Sequence, residues 1–153
     1  VHSNTLKQKE FSQASIEEIK VFLRGIALAD KKLAKEIVAV HSDTLRQRLF
    51  RASIKEIRSF LFIITFVDKE LARDIASEHS DILKQRDFSQ ANIEEIGDFL
   101  WSIAWADKKL AKEIISVHKK ILKKKLCEER DYIARDVFIE VINTYIDPRW
   151  PRG

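Results

Sequence analysis

The stretch N-I-E-E-I-G-D-F-L-W-S-I-A-W-A-D, Asn92 to Asp107, decides how this chain folds. It recurs as S-I-E-E-I-K-V-F-L-R-G-I-A-L-A-D from Ser15 to Asp30 and as S-I-K-E-I-R-S-F-L-F-I-I-T-F-V-D from Ser53 to Asp68. A worn copy, D-Y-I-A-R-D-V-F-I-E-V-I-N-T-Y-I-D, runs from Asp131 to Asp147. In the first copy, Ile16, Ile19, Phe22, Leu23 and Ile26 keep the three-and-four spacing of an amphipathic helix. Ser15 with Glu18, Ser53 with Glu56 and Asn92 with Glu95 each fit a capping box, in which side chain and backbone satisfy each other's free N–H groups. Asp30, Asp68 and Asp107 end these copies and are placed to cap a second helix, such as K-K-L-A-K-E-I. Lys31, Lys32, Lys108 and Lys109 then fall in a first turn, where the helix dipole disfavours cations by a few tenths of a kcal/mol. Such a cost fits two helices that meet at a tight corner.

Outward from these copies the chain divides into repeats 2–40, 41–78 and 79–117, with a closing unit 118–153. The period is about 39 residues, within the range of helical solenoids. Repeat two is one residue shorter, F-R-A-S against F-S-Q-A-S, at a turn where a deletion is best tolerated. Each repeat opens with a segment such as H-S-D-T-L-R-Q-R-L-F, His41 to Phe50. Leu45 and Leu49 keep helical spacing there. The segment either continues the second helix or forms a short third one, with Ser42 and Asp43 available to cap a new start. In the closing unit, Phe138, Ile139 and Ile142 stand where repeat one has Phe22, Leu23 and Ile26. The string I-D-P-R-W-P-R-G replaces its second helix, since Pro148 and Pro151 cannot continue a helix interior. That is the pattern of a C-terminal cap. The expected fold is all-α: an α-solenoid of TPR or HEAT character, three repeats and a capping helix in a single domain.

Composition agrees. The chain has 153 residues, enough for one proper core, with 3 glycines, 2 prolines and 1 cysteine. A lone cysteine excludes an internal disulfide and a cysteine-rich zinc site, and points to a reducing, cytoplasmic setting. No apolar run is long enough to span a membrane. There is no methionine, and Val1 and His2 already stand in repeat phase, so a piece of a longer protein is expected.

The string F-L-W-S-I-A-W-A-D-K-K-L-A-K-E-I resembles tandem helical repeats behind the NTPase core of STAND-type microbial signalling proteins. The resemblance spans the three full repeats. It implies a sensor or protein-interaction array that regulates an enzyme elsewhere in the parent. This chain has no G-x-x-x-x-G-K-[ST], so no nucleotide-binding or catalytic residue carries over.

No Ser–His–Asp or Cys–His set stands out from the repeat, so no enzymatic activity and no cofactor are expected. His2, His41, His79 and His118 recur once per repeat. Equivalent positions in stacked units lie about 8–10 Å apart, too far for side chains that must all reach about 2 Å from one zinc. A capping or packing role is expected. Lys119, Lys120, Lys123, Lys124 and Lys125 form a run without acids, and nucleic-acid binding is the alternative function they support. Cys127 takes the place of Phe11 and Phe88, which predicts a buried thiol.

The informative contrast lies between copies. On a helical wheel the shared apolar positions fill one arc, and the variable ones fall opposite. That variable stripe includes Arg24 and Leu28 in repeat one, Phe62 and Phe66 in repeat two, and Trp101 and Trp105 in repeat three. Either a neighbouring element covers it, or it is the surface that binds a protein or peptide partner. These six residues are the candidate partner-binding set of a non-catalytic scaffold.

Overall fold

The computed structural model describes residues 11–152. Among them every regular element is helical. In chain order the helices are α1 (Ile16–Ala29), α2 (Lys31–Val40), α3 (Ser42–Arg51), α4 (Ile54–Val67), α5 (Lys69–Glu78), α6 (Ser80–Lys84), α7 (Ile93–Ala106), α8 (Lys108–Val117), α9 (Lys119–Glu128) and α10 (Tyr132–Tyr145). None is long and apolar enough to cross a membrane.

The helix starts follow from the residues that cap them. Ser15, Ser53 and Asn92 form complete capping boxes with Glu18, Glu56 and Glu95. Asp30, Asp68 and Asp107 each close one helix and open the next. Each backbone N–H donates into the finished helix, while the carboxylate accepts from Leu33, Leu71 or Leu110. One extended residue at the corner therefore satisfies groups of two helices, and the chain turns without a loop.

The opening segments of the second, third and closing units are separate helices, α3, α6 and α9; that of the first unit lies outside the described residues. The break falls at His41, His79 and His118, which serve through their backbones as C-cap of one helix and N-cap of the next. Neither Ser42 nor Asp43 caps the new start: the Ser42 hydroxyl donates to Glu78 instead, at 2.5 Å.

α4 packs on α1, α7 on α4, and α10 on α7, so the repeated stretch forms a row of helices. α5 rests on α2, and α6 on α3. The faces between these rows form one core. It takes in Ile19 and Leu23 of α1, Ile57 and Leu61 of α4, and Ile96 and Leu100 of α7, all fully buried. Phe138, Ile142 and Ile146 close it at the C-terminal end, where Trp150 folds back edge-on to Phe138, ring centroids 5.7 Å apart. Asn143 holds that return by donating to the carbonyls of Asp147 and Trp150.

A recurring polar tether joins successive units. Arg48 donates to the carbonyls of Ser12 and Ala14, 2.8 and 2.7 Å away. Arg86 reaches Phe50 and Ala52 in the same way, at 2.7 and 3.2 Å. Lys125 reaches Ser89 and Ala91, at 3.0 and 2.8 Å. Each cation thus satisfies two carbonyls left by the turn before the preceding first helix.

The units differ where the third helix ends. In α3 and α9 the helix runs on, Leu49 and Leu126 point inward, and Phe50 and Cys127 point out. The predicted burial of Cys127 is therefore wrong: Leu126, one residue earlier, fills the inward place. In unit three Asp87 stands where Leu49 and Leu126 stand. Its carboxylate accepts from the Ser89 N–H and hydroxyl, the helix stops at Lys84, and Phe88 turns into the core.

Candidate functional site: an open aromatic face

The core-facing arc of each first helix leaves the opposite arc for solvent, and among the described residues no other helix lies over it. The variable stripe lies there. Phe66 is 83% exposed, Trp105 43% and Phe62 41%, while Trp101 is half-buried. Arg24 and Leu28 are exposed on α1.

Between α4 and α7 the stripe becomes a cleft of about 350 Å³ lined by Phe62, Thr65, Phe66, Lys69, Trp101 and Trp105. The rings are ordered against one another. Phe62 stacks on Trp101 with centroids 5.5 Å apart, and Trp101 meets Trp105 edge-on at 6.0 Å. Tyr145 of α10 extends the set, 6.4 Å from Trp101 and 6.1 Å from Trp105. The Lys69 ammonium stands 5.9 Å from the Trp105 ring centroid. The result is a mostly apolar wall with one cation at its rim. Such a surface suits an apolar or aromatic side chain of a partner.

The structure thus brings together four of the six candidate residues. Arg24 and Leu28 lie on the same face and outside the cleft. Three members, Thr65, Lys69 and Tyr145, escaped the sequence reading. Lys69 is three residues beyond Phe66, across the Asp68 corner, and the repeat itself would have placed it there. Tyr145 replaces Ala106 in the worn copy, a large residue where the other first helix ends small.

The other candidates resolve differently. Among the described residues no three His, Cys, Asp or Glu side chains gather to hold a metal; His2 lies outside the described residues. His41, His79 and His118 sit at helix junctions. His41 stacks on Phe11 at 4.6 Å, and His118 leans on Phe88 at 4.6 Å while its Nε2 bonds the Lys84 carbonyl at 2.5 Å. His79 is 1% exposed, and neither ring nitrogen has a hydrogen-bond partner. Of the lysine run, Lys125 is a tether between units, whereas Lys119, Lys120, Lys123 and Lys124 are exposed on α9.

No protein-family model, characterised protein or solved structure matches this chain.

Proposed function

We propose that the chain is an α-solenoid of about 39-residue helical units with a C-terminal capping unit, and that it is a non-catalytic scaffold which binds a protein or peptide along its first-helix face. One observation carries this reading: the aromatic residues that vary between copies line a cleft open to solvent. Contiguous exposed aromatics are uncommon on a soluble surface without a use, and fixed rings are good anchors because little side-chain entropy is lost on binding. The resemblance to STAND-type repeats fits such a module as the sensing part of a larger signalling protein. The basic helix α9 supports nucleic-acid binding less well, since one of its five clustered lysines is already engaged within the chain.

The test is selection of ligands from a library of random dodecapeptides on the immobilised protein, followed by binding measurements on the enriched peptides. They are expected to bind the wild type and to lose affinity for Trp101→Ser/Trp105→Ser, a variant whose melting temperature stays close to wild type. Enriched peptides that bind the double variant equally well overturn the assignment of this face.

A further inference from the structure

Three lysines stand where helix physics disfavours them. Lys31, Lys69 and Lys108 are the first residues of α2, α5 and α8. Unpaired N–H groups make that end of a helix positive, so a cation there is repelled. All three side chains are exposed, and none forms an ion pair among the described residues. The adjacent Asp30, Asp68 and Asp107 carboxylates are held as helix caps rather than paired with these lysines. Each commits a carboxylate oxygen to the N–H of Leu33, Leu71 or Leu110, at 3.1, 3.3 and 3.2 Å.

Their position explains what the repulsion could serve. Each lysine follows the last stripe residue of its unit by three: Leu28, Phe66 and Trp105. Lys69 shows the consequence, with its ammonium beside the Trp105 ring at the cleft rim. Arg24 adds a fourth cation on the same part of the face. The stripe's acids, Glu17, Glu94 and Asp98, lie toward the opposite ends of the first helices; Glu70, next to Lys69, is the one acid in the first turns of α2, α5 and α8. In α10, Glu140 stands where α7 has Trp101, so the cationic part of the strip ends with unit three, while Tyr145 carries the aromatic part onto α10.

We propose that the ligand of this face is an extended peptide bearing a carboxylate at about every third residue, with apolar or aromatic side chains between. This rests on the reading of the face as a peptide-binding surface. The spacing comes from geometry. Packed helices lie about 8–10 Å apart, which sets the distance between lysines of successive units. A polyproline-II peptide rises about 3.1 Å per residue with three residues per turn, so every third side chain returns to the same side about 9 Å further on. A β-strand alternates sides and would present only every second carboxylate. Aromatic-lined grooves are suited to polyproline-II ligands, whose chain is already extended before binding.

The dodecapeptides selected on the wild type test this directly. Asp or Glu should be enriched three residues apart. Affinity should fall on the order of tenfold or more between low and high salt, because exposed charge pairs are screened. Lys31→Gln/Lys69→Gln/Lys108→Gln should lose a comparable factor while its melting temperature holds or rises, since removing a first-turn cation relieves the helix dipole. Peptides without acids, or equal affinity for the triple variant, overturn the acidic ligand and leave the peptide-binding face standing. Enriched peptides that ignore Trp101→Ser/Trp105→Ser remove the face itself. Sedimentation analysis closes the remaining route: a dimer that the double tryptophan variant abolishes gives the face to a second copy and overturns the proposal.

Discussion

His79→Leu should stabilise the protein and remove part of its sensitivity to acid. His79 is buried at the α5–α6 junction, 1% exposed, and both ring nitrogens lack partners. Its counterparts are better served. His118 bonds a carbonyl and leans on Phe88, and His41 stacks on Phe11. Unit two cannot offer His79 the same ring, because α3 continues to Arg51 and Phe50 faces solvent. A buried polar group without a partner costs about 1–3 kcal/mol, so an apolar side chain of similar size should recover roughly that amount. For a domain of this length each kcal/mol corresponds to about 2–4 °C in melting temperature. Burial also holds the His79 pKa below its ordinary 6.5, with Arg46 lowering it further and Glu78 opposing. The unfolded chain therefore takes up a proton before the folded one does. Stability contributed by the neutral ring is intact above pH 6.5 and is lost as pH falls from there toward the lowered folded value. Thermal melts followed by circular dichroism from about pH 8 down to about pH 5, a range that spans the ordinary histidine value, give both quantities. A His79→Leu variant that melts below wild type at pH 8, or that keeps the wild-type slope below pH 6.5, refutes the argument.

Other expectations follow from packing. Leu61 is fully buried in α4, and Leu61→Ala should cost about 2–5 kcal/mol in chemical denaturation; a loss under about 0.5 kcal/mol would remove it from the core. Gly25→Ala has open space around the new methyl and should gain about 0.5–1 kcal/mol from helix propensity. Gly97→Ala places the methyl 3.3 Å from Phe138, which Trp150 holds in place, so it should forfeit that gain; equal gains at both sites would show that Phe138 yields freely. Lys125→Gln should cost about 1–2 kcal/mol by breaking two charge-assisted bonds to carbonyls. Replacing Lys119, Lys120, Lys123 and Lys124 together should change stability by less than about 0.5 kcal/mol per site, and a larger loss would mean those lysines also support the fold.

Much of the fold was legible because local signals agreed. The capping boxes and the Asp corners are short-range devices, and every one expected between Ser15 and Asp107 is in place. The third helix was not decidable from periodicity, because its break at His41 uses backbone caps that leave no side-chain signature. Cys127 was misplaced because alignment to Phe11 and Phe88 ignored the preceding residue. Leu126 keeps the helix going and goes inward, whereas Asp87 bends the chain and sends Phe88 in. The Arg48, Arg86 and Lys125 tethers were hidden for a different reason: each bond goes to a backbone carbonyl 34 to 36 residues earlier, which no side-chain pattern records. The aromatic stripe was visible on the helical wheel, but whether a neighbour covered it depended on tertiary packing.

The claim that this face is an open binding surface meets its most direct test in iodide quenching of tryptophan emission, with the protein free and then saturated with a selected dodecapeptide. Trp150 is buried beside Phe138, so the accessible signal comes from Trp101 and Trp105. The account predicts marked quenching of the free protein and shielding once the peptide is bound. Emission that iodide cannot reach in the free protein, or quenching that bound peptide leaves unchanged, contradicts it.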